Sequence, residues 1–359
     1  MEGPLDWSRL TRLAVESHAT PGLWEVVSAF PNLPVEAGAL QTVAVVDDFR
    51  RLHIRRLVAR TVADLRGEGI EVLVLKGAAL LAGGVDKPRP RTMADIDLLV
   101  FSGSPEHAWR VCQKKGWRIA DPTATEELYR DHHHLPPLDD SDGVRVGLEL
   151  HRTILPGVQR LGLDIDEILE RSRMVAIGGV EVRVPSREDI LLHACLHFAW
   201  SNKLGRGGWR TYADAQAIIA DPAFDWQRFL ATATSARMRR CCYWTLRIGA
   251  RVADLPVPLD VLRSLDPSSG GPLGTLLARH FSSRVSNPDA MSMVSERLQR
   301  WCWFAAMGES STSDEADAVW SEGDLGQPES QRVDLPPSRG ALRAAIGTMS
   351  YLARLAFRD

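Results

Sequence analysis

Hydrophobic residues recur at intervals of three and four through residues 35–66, a stretch without proline. This spacing places the apolar side chains on one face of a helix. Gly67 and Gly69 then end the pattern. We therefore predict an N-terminal helical segment over residues 1–66. Its apolar positions are Leu40, Val43, Val46, Phe49, Leu52, Ile54, Leu57, Val58, Val62 and Leu65.

Three shorter apolar runs predict β-strands, because they are rich in β-branched residues and leucine. A helix is predicted between the second and third strands, over residues 104–117, with Ser104 as its N-cap. Strands that alternate with helices indicate an α+β fold, with a small mixed β-sheet and flanking helices over residues 67–155. The three runs are IEVLVL (70–75), IDLLVF (96–101) and VRVGLELH (144–151).

Longer helical patterns follow and predict a mainly helical substrate or lid domain over residues 156–307. A Gly-Gly pair between alternating runs adds a short hairpin over residues 174–185. The helical patterns cover residues 186–200, 211–220, 226–250 and 290–307.

The C-terminal part has a different composition. Residues 308–340 are rich in Ser, Asp, Glu and Pro, which predicts an acidic, flexible linker. Residues 341–359 predict an amphipathic helix that packs on the body of the protein, with a membrane-surface or partner role as the alternative.

Composition narrows the class of protein. The net charge is −3, which argues against a general nucleic-acid surface but leaves room for a local basic groove. The five cysteines form no C-x-x-C pair, which fits a reducing cytosol better than a disulfide framework. No apolar run reaches the roughly 20 residues that span a bilayer, and MEGPLDWSRL lacks the apolar core of a signal peptide. We expect a cytoplasmic protein without a membrane span.

The segment RTMADIDLLV contains the first candidate for chemistry. Asp95 and Asp97 are two residues apart on a predicted strand, so both side chains lie on the same face. Two close carboxylates repel each other unless a cation lies between them. Glu149, in another predicted strand, offers a third carboxylate if that strand pairs beside IDLLVF. Such a group would suit Mg²⁺, which takes carboxylate and phosphate oxygens.

A possible phosphate site precedes the carboxylates. In LVLKGAALL a predicted strand runs into Lys76 and Gly77 and then into a helix. Glycine lets a ligand approach the backbone, and free N–H groups at a helix start favour phosphate. We expect Lys76 to contact a triphosphate or the released pyrophosphate.

The assembly LKGAALLAGGVDKPRPRTMADIDLLV, followed by VGLELH, resembles the nucleotidyltransferase superfamily of the DNA polymerase β type. It is most similar to the bacterial group labelled uncharacterised nucleotidyltransferase. The likeness is strong over residues 70–101 and 149–151, and weaker at LLHACLHFAW and WRTYADAQAII.

The resemblance implies a role for each matching residue. Asp95, Asp97 and Glu149 would be the catalytic, metal-binding carboxylates. The nucleotide would be bound at Lys76, Gly77, Ala78 and Arg91. Lys76-Gly77-Ala78 departs from the superfamily's Gly-Ser or Gly-Gly pair, so phosphate contact would depend on backbone N–H groups and on Lys76.

Histidines and nearby charged residues supply candidate substrate contacts. His193 and His197 lie four apart on a predicted helix, but no H-E-x-x-H motif supports zinc. The histidines are interpreted as nucleotide or acceptor contacts. The alternatives are that they are buried or hydrogen-bonded residues of the core, or that they hold a structural zinc. The basic residues around the glycines of NKLGRGGWR indicate either an anion-binding edge of the site or a solvated loop. They are Lys203, Arg206 and Arg210. The candidate substrate contacts are His134, His151, His197, Arg210 and Asp214.

These features together predict a metal-dependent nucleotidyltransferase. It would use Mg²⁺ or Mn²⁺ to move NMP from an NTP to a hydroxyl or similar nucleophile and release pyrophosphate. ATP is the expected NTP. The acidity of the chain favours a small-molecule or peptide acceptor, with tRNA as an alternative. The rival hypotheses are a non-catalytic nucleotide-binding or interaction protein that keeps the fold, and a histidine-based zinc hydrolase. On the enzyme hypothesis, Asp97→Asn removes activity and leaves the melting temperature unchanged or raised.

Overall fold

The computed structural model describes residues 5–85, 90–140, 145–154, 163–205, 207–267, 272–286 and 294–308. Arg206, the predicted linker beyond Gly308 and the predicted terminal helix lie outside these residues. The chain divides into two compact units. The first comprises Met1–Ala194 with Ala213–Thr232, and the second comprises Cys195–Tyr212 with Ala233–Asp359.

Three helices and a short 3-10 turn (Val35–Ala37) form the N-terminal region. They are α1 (Trp7–Glu16), α2 (Thr20–Val27) and α3 (Gly38–Gly67). The predicted long helix is confirmed as α3, which packs first against α1 and α2 and then against the sheet. The predicted apolar face is wider than the buried one. Val46, Phe49 and Leu52 are each about half exposed or more, because the contacts with α2 and the sheet use the other side of α3.

A seven-stranded mixed sheet forms the core of the first unit. The strand order is β3-β4-β5-β2-β1-β7-β6. The neighbours β2·β5 and β1·β7 are parallel, and the other pairs are antiparallel. The predicted mixed sheet with flanking helices is therefore confirmed. The strands are β1 (Glu71–Val74), β2 (Asp95–Ser102), β3 (Arg118–Ile119), β4 (Leu138–Asp139), β5 (Gly147–His151), β6 (Arg173–Ile177) and β7 (Val180–Val184).

The glycine hairpin belongs to this sheet. Gly178 and Gly179 have φ of +57° and +80°, the left-handed conformations that a tight turn between β6 and β7 requires. The hairpin was predicted to belong to the mainly helical domain over residues 156–307. That assignment is corrected by the parallel pairing of β7 with β1, in which Leu73 lies opposite Arg183.

Helices supply the remaining regular structure. Ser104 caps α5 as predicted, since its hydroxyl accepts from the His107 N–H at 3.3 Å. The single pattern predicted over residues 226–250 is two helices, because Arg237 adopts φ +57° between them. The helices are α4 (Lys76–Ala79), followed by a π-helical segment Leu80–Gly84, then α5 (Pro105–Lys114), α6 (Ile165–Arg171), α7 (Arg187–Trp200), α8 (Gly208–Ile219), α9 (Trp226–Ser235), α10 (Arg239–Val252), α11 (Leu259–Leu265), α12 (Pro272–Ser286) and α13 (Glu296–Met307).

The second unit has a helical core built around large aromatic side chains. Trp303 is fully buried and donates from its indole N–H to the Ala199 carbonyl at 2.7 Å. Phe198 packs edge-on against Tyr212, with ring centroids 5.5 Å apart. None of the described helices combines the length and the apolar character that crossing a bilayer requires.

Candidate active site

The turn after β1 carries Lys76 into the middle of the carboxylates. Lys76 has φ +47°, a left-handed conformation that is uncommon outside glycine. Its Nζ lies 2.6 Å from Asp97 Oδ1 and 4.0 Å from Glu149 Oε2. The Leu75 N–H donates to the Asp97 carbonyl at 2.9 Å, which ties the turn to β2. The strained backbone at Lys76 is thus held by an ion pair on one side and a sheet-like hydrogen bond on the other.

The pairing of β2 with β5 brings the other groups together. These strands are parallel, and Asp97 lies opposite Glu149 in the register. His151 follows two residues after Glu149, and its Nε2 lies 2.9 Å from Asp97 Oδ1 and 3.4 Å from Glu149 Oε2. Asp97, Glu149 and His151 can each offer one ligand atom, and these atoms all lie within 4.8 Å of one another.

Charge compensation keeps both carboxylates ionised. Burial alone would raise the pKa of Asp97, but the Lys76 ammonium and the His151 imidazole hold it well below its ordinary value. Burial likewise opposes ionisation of Glu149, whose pKa is nevertheless lowered, chiefly by the hydrogen bond from His151. The pKa of Lys76 is raised in spite of burial by the charges of Asp97, Glu149 and Asp95. The pKa of His151 is raised against burial by its hydrogen bonds to Asp97 and Glu149.

The group fits a divalent cation. Two ionised carboxylates provide the oxygen ligands that Mg²⁺ and Mn²⁺ prefer, and an imidazole is a common additional ligand for transition metals. Asp95, which was predicted to share the ion with Asp97, is half-buried at the first residue of β2 and is not part of the group of converging ligand atoms. Its charge still acts on Lys76, which places its carboxylate beside the site.

Arg91 covers the glycine of the turn. Its guanidinium lies where a methyl group on Gly77 would be, so any larger residue at that position would overlap it. Arg91 also forms an ion pair with Asp214 at 3.1 Å, and both side chains are largely buried. Gly77 and Ala78 are themselves buried in α4. The turn, the arginine and the first-unit part of α8 are therefore coupled through direct contacts.

A family model described as an uncharacterised nucleotidyltransferase matches residues 3–254. This match spans well over half of the chain and includes every residue of the carboxylate group. The chain belongs to the uncharacterised nucleotidyltransferase family.

One solved structure is also similar to the chain, an antigenic nucleotidyltransferase-like protein from Paracoccidioides brasiliensis. The two sequences are 18% identical, and the match covers 51% of this chain and 88% of that chain with a TM-score of 0.35. No curated protein matches the chain.

In this family member, a histidine-rich segment lines the site beside His151. His134 forms a β-bridge with His151, and their ring centroids lie 5.6 Å apart. The ring centroids of His133 and His151 lie 5.3 Å apart, and burial lowers the pKa of His133 to about 2. Both side chains are therefore neutral neighbours of the carboxylate group, because burial also lowers the pKa of His134.

Arg152 holds this segment in place and was missed by the sequence analysis. It forms an ion pair with Glu106 at 2.8 Å, and its Nη1 donates to the carbonyls of Tyr129, His132 and His134. The only signal in the sequence was a cation directly after the Glu-x-His motif. Its position next to β5 lets one guanidinium join the histidine segment to the strand that carries Glu149.

The remaining predicted contacts are divided between the two units. Asp214 lies in the first unit, where it pairs with Arg91. His197 and Arg210 belong to the second unit, so their role as substrate contacts stays a prediction. Among the described residues, His193 is not part of the group of converging metal ligands, and the zinc hydrolase stays an alternative hypothesis.

The contacts of Asp97 predict that Asp97→Asn lowers stability, whereas the sequence alone predicted an unchanged or raised melting temperature. The carboxylate is 2% exposed and neutralises Lys76, so the amide would leave a partly buried ammonium without its closest counter-charge. We expect a loss of roughly 2–4 kcal/mol in the free energy of unfolding. Chemical denaturation of both proteins measures it.

Asp95→Asn is the matched control, because it changes the same kind of residue on the same face of β2 at a less buried position. It should change the free energy of unfolding by less than about 1 kcal/mol. An Asp97→Asn variant as stable as the parent protein would contradict the buried ion pair.

Gly77→Ala tests the contact with Arg91. The new methyl group would displace the guanidinium and weaken its pair with Asp214, so we expect a loss of about 1–2 kcal/mol in unfolding free energy. In an Arg91→Met background the same change should be neutral or slightly stabilising, because alanine is the better helix former. A double-mutant cycle measures the coupling, and an equal loss in both backgrounds would disprove this explanation.

Proposed function

We propose that this protein is a metal-dependent nucleotidyltransferase that moves NMP from an NTP to a hydroxyl or similar nucleophile on an acceptor and releases pyrophosphate. One observation carries the proposal: Asp97 and Glu149 lie opposite each other on parallel strands, with converging ligand atoms, in a chain of a nucleotidyltransferase family. The same arrangement supports membership of the DNA polymerase β-type superfamily.

Asp97 and Glu149 would hold Mg²⁺ or Mn²⁺, with His151 as a further ligand or as a hydrogen-bond donor to both carboxylates. A bound divalent ion would neutralise charge on the phosphates during an in-line displacement. Asp95 lies beside this position and would add negative charge to it.

Lys76 would have two partners in turn. Before substrate binds, its ammonium neutralises Asp97. Once a cation occupies the carboxylates, the ammonium would face added positive charge and would turn to the triphosphate instead. The left-handed backbone at Lys76 fits a residue whose position is set by function, since such conformations cost about 1–3 kcal/mol and concentrate at ligand sites.

Arg91 is placed to assist phosphate binding, because its guanidinium lies directly on Gly77. Glu149 would orient the attacking hydroxyl and accept its proton. The lowered pKa of Glu149 makes it ionised at neutral pH but a weak base. Catalysis would therefore depend mainly on positioning and on charge neutralisation, as in phosphoryl transfer generally.

For the substrates, we propose ATP as the first choice of NTP and a small molecule or peptide as the acceptor, because the chain carries a net charge of −3. A long polynucleotide would be repelled by such a surface unless a local basic groove receives it. A cytoplasmic location is part of the same proposal, since ATP and Mg²⁺ are available there.

The test is incubation of the protein with each NTP labelled at the α-phosphate, with Mg²⁺ or Mn²⁺ and fractions of a cell extract. We expect label to move to a component of one fraction. Asp97→Asn and Glu149→Gln should each lower this transfer by roughly two to three orders of magnitude.

Glu127→Gln is the control, because its side chain is 83% exposed and should leave transfer unchanged. Equal transfer by the Asp97→Asn variant would refute the assignment of the site. Binding of nucleotide by the parent protein with no transfer to any fraction would favour the non-catalytic nucleotide-binding alternative.

A further inference from the structure

A cavity of about 340 Å³ lies in the first unit, next to Arg91. Its walls come from α3, from the π-helical segment after α4, from the residues before β2 and from α8, and all of its lining residues belong to the first unit. Arg91 lines the cavity and also lies on Gly77. The cavity therefore adjoins the turn that carries Lys76.

Arginines give this cavity a positive character. Arg51, Arg55 and Arg91 line it together with a single acid, Asp214. Arg91 is paired with Asp214, and Arg51 is paired with Asp48 at 3.0 Å.

Arg55 differs from the other two arginines. Its Nη1 donates to the Leu81 carbonyl at 2.8 Å, and within the described ranges no carboxylate lies within ion-pair distance of it. A half-buried guanidinium that is held in place, with no carboxylate partner in the described part of the chain, is well suited to bind a carboxylate or phosphate.

The other walls are apolar. Leu80, Leu81, Met93 and Ala217 surround the cavity and are almost fully buried. Leu52 lines it as well and is 57% exposed. A ligand that fills the cavity would thus place apolar atoms against these side chains and an anionic group near Arg55.

We propose that this cavity binds the acceptor of the transfer reaction, and that the acceptor is an anionic small molecule with an apolar portion. This inference rests on the proposed function, because it identifies the molecule that receives NMP. Arg55 would bind the anionic group, and Ala217 would border the apolar portion. Arg91 would connect the two substrates, since it contacts both the cavity and the turn that faces the triphosphate.

The probe for this test is 8-anilinonaphthalene-1-sulfonate, an anionic aromatic compound whose fluorescence rises on binding. N-phenyl-1-naphthylamine is its uncharged counterpart. Without metal or nucleotide, we expect saturable binding of both probes. Arg55→Met should lower the affinity for the anionic probe roughly tenfold, which corresponds to the loss of a charge-assisted hydrogen bond. The affinity for the uncharged probe should change by less than about twofold.

Matched controls come from α3 and from the residue that follows α8. Arg56→Met removes an exposed arginine of α3 and should change neither affinity. Ala217→Leu fills the cavity and should abolish binding of both probes, whereas Ala220→Leu, at the exposed residue that directly follows α8, should not. Thermal unfolding confirms that each variant is folded.

Two outcomes would overturn the inference. The first is binding of the anionic probe that survives Ala217→Leu, or a loss on Arg55→Met that is equal for both probes. The second is competitive displacement of the probe by ATP with Mg²⁺, which would assign the cavity to the nucleotide.

Failure of the proposed function would look different. In that case no fraction accepts NMP, while the probes still bind with the expected dependence on Arg55 and Ala217. If NMP is transferred and Arg55→Met leaves the KM for the acceptor unchanged, the proposed function stands and the acceptor site is refuted.

Discussion

The ion pair between Lys76 and Asp97 is the constraint on which the site depends. An ionised carboxylate that is 2% exposed is stable only beside a positive charge, and the ammonium at 2.6 Å supplies it. The pair in turn requires the left-handed backbone at Lys76, the hydrogen bond from Leu75 to β2, and the parallel register that sets Glu149 opposite Asp97. Fold and site are therefore specified by the same contacts.

A preformed cluster of this kind also explains how a cation could be received without unfolding the site. The carboxylates are already ionised, because Lys76 and His151 lower their pKa values. A divalent ion would replace one positive charge by another, and Lys76 would be released toward the phosphates. Arg91 links the glycine turn to its surroundings, since its guanidinium lies on Gly77, pairs with Asp214 and lines the cavity.

The sequence predicted the parts of the site that depend on local patterns. Asp97 and Glu149 interrupt apolar strands, so their faces could be read from the two-residue period. The orientation of Lys76 could not, because a left-handed conformation at a lysine has no sequence signal. Long-range contacts were also missed, because no local pattern indicates which distant segment a side chain will contact. Arg152, for example, binds a segment about 20 residues away. The joining of the glycine hairpin to β1 likewise has no local signature.

The most direct test of the central claim is the affinity of the protein for Mn²⁺ alone, followed by the loss of the free-ion paramagnetic resonance signal. If the Lys76 ammonium neutralises the carboxylates in place of a divalent ion, Lys76→Met should bind one Mn²⁺ roughly tenfold more tightly than the parent protein, a change of about 1.4 kcal/mol. Lys114→Met, at an exposed position of α5, should bind it as the parent does. Weaker or unchanged binding by Lys76→Met would contradict the account.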